Sequence, residues 1–156
     1  KEYKIPGIIF LILSFYTAYY FRNEFYGDYL YFIMILFICV FTDIGGYVFG
    51  KFFKGKKLTS ISPKKTYSGL FGAYILSVMS SYLIFYNFFS LNYIITFSVI
   101  VSTVSQSGDL FISYLKRKAK IKDTGKFLPG HGGLLDRLDG IIFSIPLGLT
   151  INFYIW

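Results

Sequence analysis

Residues 29–50 read YLYFIMILFICVFTDIGGYVFG, a run in which Asp43 is the one charged side chain. About 20 apolar residues in a helix cross a hydrocarbon core of roughly 30 Å, and this run has that length. Its apolar residues are continuous and do not alternate at every second position. That pattern fits a membrane helix, which satisfies its backbone hydrogen bonds internally, and not a strand of a lipid-facing barrel. Similar runs at 5–21, 70–89, 93–115 and 141–156 bring the expected spans to five. The composition agrees: 54% hydrophobic, 22% aromatic and only 15% charged residues is too apolar for a water-soluble domain of 156 residues. The predicted fold is all-α, a polytopic membrane helix bundle forming a single domain over 1–156. No repeat, low-complexity tract or linker divides it. Cys39 is the only cysteine and lies in an apolar run, so packing is its expected role and no disulfide can form within one chain. The chain opens on Lys1 and almost directly on a span, from which further N-terminal helices are expected.

Thirteen of the 16 basic residues fall in two connections, 51–65 and 116–137. Alternating spans put both connections on one face, and the positive-inside bias makes that face cytoplasmic. Taken alone, such loops signal topology and contact with anionic lipid. Their other residues ask for more. Gly55, Ser62, Pro63 and Gly69 punctuate the first, and Gly125, Pro129, Gly130, Gly132 and Gly133 the second. Glycine lets backbone N–H groups approach a phosphate while lysine supplies charge, a combination that suits a polyphosphate ligand.

Two of the eight acids, Asp43 and Asp109, lie inside apolar runs. An ionised carboxylate there costs several kcal/mol unless it is paired or binds a cation, so function is the default expectation and a buried ion pair with a loop lysine the plainer one. Counting residues to the first loop lysine places both acids on the order of 10–12 Å below the cytoplasmic edge, at about 1.5 Å per residue. Ser105, Gln106, Ser107 and Gly108 are expected to widen the polar patch around Asp109. Asp136 and Asp139 stand three apart before the last span; a helix starting there would put both on one face, within reach of Asp109. Three carboxylates so placed make a magnesium-type set of oxygen ligands, although acids at a helix N-terminus also serve simply as caps. His131, the only histidine, cannot support a histidine-rich zinc site. Residues 45–51 spell G-x-x-x-x-G-K, but Phe52 stands where a phosphate-binding loop needs Ser or Thr. Gly46 and Gly50 are better explained by close helix packing.

The segment from Ser113 to Asp139, with Lys116-Arg117, Lys122-Asp123, Gly125, Leu128-Pro129-Gly130-His131-Gly132-Gly133-Leu134 and Asp136-Arg137-Leu138-Asp139, resembles the C-terminal motif of the phosphatidate cytidylyltransferases. The likeness extends to Ser107-Gly108-Asp109-Leu110 and, from Asp43 to Gly72, to Tyr47, Gly50, Lys51, Ser62-Pro63-Lys64-Lys65-Thr66 and Gly69. Ser68 departs from it, since many members carry glutamate before that glycine.

The resemblance implies a reaction between CTP and phosphatidate that gives CDP-diacylglycerol and pyrophosphate. It implies magnesium held by Asp109 and Asp136, with Asp139 and Asp123 close by, and leaves room for a second cation such as potassium. Asp109, Asp136, Asp139, Lys116 and Arg137 are the expected catalytic residues. Ser62, Lys64, Lys65, Thr66, Arg117, Lys122, Asp123, His131, Gly132 and Gly133 are the expected substrate contacts. The expected partners are CTP, phosphatidate and membrane lipid, with no nucleic acid; a homodimer is compatible with this reading and not required by it. The expected location is a bacterial inner membrane, with the site on the cytoplasmic side. The rival reading is a cation-coupled transporter that uses the buried acids.

Overall fold

A computed structural model describes residues 4–24, 29–59, 61–121 and 135–155, with side chains over 8–20, 29–59, 61–121 and 138–151. These residues form helices α1 (Lys4–Glu24), α2 (Tyr29–Phe53), α3 (Tyr67–Phe85), α4 (Leu91–Lys118) and α5 (Leu135–Ile155). The five helices coincide with the five expected spans to within a few residues. The largest difference is at α5, which begins six residues before 141. Hydropathy discards Asp136 and Asp139, yet a helix N-terminus favours negative charge, so both acids fall inside the helix.

The ends follow local chemistry. Thr66 caps α3, its hydroxyl accepting from the Gly69 N–H at 3.1 Å, and Ser90 does the same for α4 from Tyr93 at 3.4 Å. Lys116, Arg117 and Lys118 fill the last turn of α4, where positive charge complements the helix dipole. Lys54 and Lys120, with φ of 43° and 57°, turn the chain out of α2 and α4 through the left-handed region.

By length and composition α2, α3 and α4 can each cross a membrane. The 21-residue helices α1 and α5 contain the described apolar stretches Ile8–Tyr20 and Leu138–Ile151. Large apolar side chains such as Ile12, Phe15, Phe71 and Leu83 lie exposed along the outside. In water that surface would drive association; in lipid it meets its own solvent, and the chain is an integral membrane protein.

Inside, Met34, Ile35 and Ile38 of α2 pack with Ile94, Phe97 and Val101 of α4. Cys39 belongs to the same buried cluster, in accord with a packing role. Helices α2 and α3 meet backbone to backbone. A Cβ placed on Gly45 would lie 2.5 Å from the Gly72 carbonyl oxygen, and one on Gly69 would lie 2.6 Å from that of Gly46. Lipid provides no hydrophobic force between helices, so such close van der Waals contact is what holds them. Residues 45–51 lie within continuous α2. Helix α5 packs on α4 with Gly108 under Phe143 and Gly140 against Ser105. Helix α1 leans on α5, joined by a hydrogen bond from the Ser14 hydroxyl to the Ile142 carbonyl and by the Phe10 and Phe143 rings at 4.7 Å.

Candidate functional site

The C-terminal parts of α2 and α4 and the N-terminal parts of α3 and α5 come together at one end of the bundle. A cavity of about 440 Å³ opens there, lined by Asp43 and Tyr47 of α2, by Ser62, Lys64 and Lys65 of the α2–α3 connection, and by Asp109 of α4. Thr66 and Gln106 also line it.

The connection is folded. Lys57 and Thr66 form a β-bridge, with Leu58 N–H donating to the Lys65 carbonyl at 2.8 Å and Tyr67 N–H to that of Lys56 at 3.0 Å. At its tip Lys65 N–H donates to the Ser62 carbonyl at 3.0 Å, closing a turn whose second residue is Pro63, the position proline favours. The Gly55 N–H donates to the Ser68 hydroxyl at 3.2 Å, which ties the start of the connection to α3. Ser68, the departure noted above, therefore has a structural job. The hairpin delivers Lys64 and Lys65 to the cavity.

Lys65 makes an ion pair with Asp109 and donates to the Gln106 carbonyl at 3.5 Å. Ser113 donates to the other Asp109 oxygen at 3.4 Å. Across the α4–α5 seam the carboxyl groups of Asp109 and Asp139 lie within hydrogen-bonding reach of one another, and Lys116 reaches Asp139 at 3.7 Å. The charges run Lys65, Asp109, Asp139, Lys116. Two adjacent carboxylates repel strongly where water is scarce, so the flanking ammonium groups hold the pair together.

The structure thus brings Ser62, Lys64, Lys65, Thr66 and Asp109 to one cavity and sets Asp139 and Lys116 beside Asp109. Arg117, one residue on from Lys116, faces a separate depression of about 620 Å³ with Ile61, Pro63, Tyr114 and Lys118. Asp136 and Arg137 stand in the first turn of α5, with side chains outside those described. Lys122, Asp123, His131, Gly132 and Gly133 lie outside the described residues. The expected polar patch is narrower than its sequence. Gln106 lines the cavity, but Ser105 is buried against Gly140, Gly108 lies under Phe143, and exposed Ser107 donates to the Thr103 carbonyl at 2.7 Å. Helical geometry is part of the reason: Ser105 lies as near to Asp109 around the helix as Gln106 does but on the flank that meets α5, and Ser107 points away from both. Sequence reasoning left Asp43 without a role and passed over Leu58, which lines the cavity and belongs to no recognisable motif. For Asp43 the signal was present, as the lone charge in its run.

Fold and cavity define a class: a helical membrane protein that concentrates paired carboxylates and lysines at one end of its bundle. Residues 4–155 match the Cytidylyltransferase family, and the chain belongs to that family. It is 45% identical over 136 residues to the phosphatidate cytidylyltransferase of Rickettsia typhi, an alignment covering 81% of this chain and 58% of that protein. It is 42% identical over 127 residues to that of Helicobacter pylori, covering 78% and 46%, and 41% identical over 126 residues to that of Staphylococcus haemolyticus, covering 78% and 48%. The chain therefore spans about half to three fifths of the length of these curated relatives.

Proposed function

We propose that this site, on the cytoplasmic face of a bacterial inner membrane, transfers CMP from CTP to phosphatidate, giving CDP-diacylglycerol and pyrophosphate. The observation that carries this reading is the row Lys65, Asp109, Asp139, Lys116 at the edge of a cavity within a membrane bundle. The names of the relatives supply the substrates. Nothing in the fold or the relatives favours the transport reading of the acids.

Phosphatidate already carries an oxyanion. One of its phosphate oxygens attacks the α-phosphorus of CTP, a new P–O bond forms, and the bond to the bridging oxygen breaks with its electrons leaving on pyrophosphate. No protein nucleophile is required, so the chain's task is to bring two anions together in line and to neutralise charge. Lys64 and Lys65, carried by the hairpin, face the triphosphate, while Lys116, Arg117, Lys122 and Arg137 offset charge around it. The hydroxyls of Ser62 and Thr66 donate to phosphate oxygens, and His131, Gly132 and Gly133 are further substrate contacts. Two neighbouring carboxylates, with the Ser113 hydroxyl on one of them, offer the oxygen chemistry that a hard divalent cation takes. Asp109 and Asp136 would hold magnesium, with Asp139 beside them, and bound magnesium would supply charge compensation to the phosphates.

The test is incorporation of radiolabelled CTP into extractable lipid by the purified protein in nanodiscs, with phosphatidate and magnesium supplied. Label that stays in the aqueous phase overturns the proposal.

A further inference from the structure

Phosphatidate, the lipid substrate of the reaction proposed above, lies in the bilayer, so the cavity needs a way in from the lipid. Two features of α2 bear on where it is. A depression of about 430 Å³ on the outside of the bundle is lined by Tyr47, Val48, Lys51 and Phe52. Tyr47 also lines the inner cavity, and among the described residues it is the one common to both. The larger depression at Arg117 shares no lining residue with the cavity.

The chemistry of the outer depression suits a lipid headgroup and the first part of its chains. Phe52 is 81% exposed and Tyr47 68%, with Val48 beside them, a surface whose solvent is the bilayer. Lys51 is exposed in the last turn of α2, at the end of the helix that carries the cavity. A lysine there extends its charge to the height of lipid phosphates, and aromatic rings settle at the same level. Its ammonium group stands 5.7 Å from the centre of the Tyr47 ring, near the limit of a cation–π contact. At an exposed site that attraction is weak, so an arriving phosphate draws the ammonium off the ring and uncovers Tyr47.

We propose, resting on the phosphatidate reading, that this face of α2 is the bilayer-side mouth of the cavity. Lys51 takes the phosphate of the lipid, the acyl chains lie along Val48 and Phe52, and the headgroup passes Tyr47 to reach Lys64 and Lys65 inside.

The experiment measures, from CMP transfer by the full-length protein, KM for phosphatidate as a mole fraction in phosphatidylcholine nanodiscs and KM for CTP. Lys51→Gln should raise the first roughly three- to tenfold, the worth of one charge-assisted contact discounted for exposure, and leave the second unchanged. Lys51→Arg should recover most of the loss. Tyr47→Trp, bulkier at the threshold, should raise the same constant. Lys54→Gln removes an exposed lysine just beyond α2 that lines neither the depression nor the cavity, and should have no effect. Wild type that transfers no CMP to phosphatidate overturns the enzymatic reading itself. With wild type active, an unchanged phosphatidate KM in Lys51→Gln overturns this inference alone. So does an equal rise in Lys54→Gln, which would reduce Lys51 to general surface charge. A lowered thermal midpoint in Lys51→Gln with both KM values intact also overturns it, since the face would then be a contact with another protein segment.

Discussion

The seam between α2 and α3 and the seam between α4 and α5 are both made with glycine, yet they do different things. At the first, glycines on both helices let the backbones touch, at Gly45 against Gly72 and Gly46 against Gly69. At the second, each glycine receives a larger neighbour, Phe143 over Gly108 and Ser105 against Gly140. The charged pairs sit at the cavity end of the second seam, where Asp109 meets Asp139 and Lys116. The first seam sets how α2 and α3 lie, and with them the hairpin that joins them. The second holds two carboxylates at a separation they would not choose. One seam is a frame and the other is chemistry, so a substitution in each should fail in a different way.

The largest effect is expected at the charged seam. Asp109→Asn keeps shape and hydrogen-bonding capacity but removes the charge, and CMP transfer should fall by on the order of 10³-fold, the several kcal/mol that a cation centre contributes. Membrane insertion and the thermal midpoint should stay close to wild type. Wild-type turnover in both Asp109→Asn and Asp136→Asn would remove the cation from these residues and leave the two seams alike. Gly45→Val is the counterpart in the frame. Its side chain would meet the Gly72 carbonyl and Ala73, and overpacking at such a site costs about 3 kcal/mol or more. A lowered thermal midpoint is expected, with activity tracking the folded fraction and KM unchanged. A stable Gly45→Val protein with altered KM would mean that the seam shapes the site directly.

The frame was easier to read from sequence than the chemistry, for physical reasons. Crossing a membrane imposes a length on every helix, so the runs around Ile38, Ser77 and Val101 announced themselves. The span reading dropped Asp136 and Asp139 because it weighs apolarity and not the pull of a helix N-terminus on acids. Asp109 stood out as a charge in the wrong solvent, whereas its ion pair joins residues 44 positions apart through a hairpin whose pairing depends on Lys57 meeting Thr66. Ser105 and Gly108 looked polar or permissive in sequence and proved to be contact points for α5. Small residues in a membrane helix serve packing and polarity equally well, and only the neighbour decides.

Lys116 lies between these extremes. Lys116→Gln removes the ammonium group beside Asp139, so like charge goes uncompensated at the edge of the site. A loss of about tenfold in kcat/KM is expected, the scale of one charged interaction, with substantial recovery in Lys116→Arg. Equal activity in all three proteins would confine the working charges to the hairpin and Asp109.

The smallest effect concerns the polar stripe along α4, which reaches the site through Ser98, Ser102, Gln106 and Asp109. Ser102 and Ser98 are one helical turn apart and both fully buried. The Ser102 hydroxyl accepts from Thr42 of α2 at 2.9 Å and from the Gln106 amide at 3.3 Å, whereas the Ser98 hydroxyl has no partner among the described residues. A hydrogen bond within the bundle contributes about 1 kcal/mol, and an unpartnered buried hydroxyl costs a similar amount. Ser102→Ala should therefore lower the thermal midpoint and free the Gln106 side-chain amide. Ser98→Ala should leave the midpoint unchanged or raise it slightly, with turnover intact. Thermal unfolding of the two variants side by side decides the matter. If both fall equally, Ser98 has a polar partner after all and the stripe is one connected network. If only Ser102→Ala falls, the network begins at Thr42, and the deeper serine belongs to the frame.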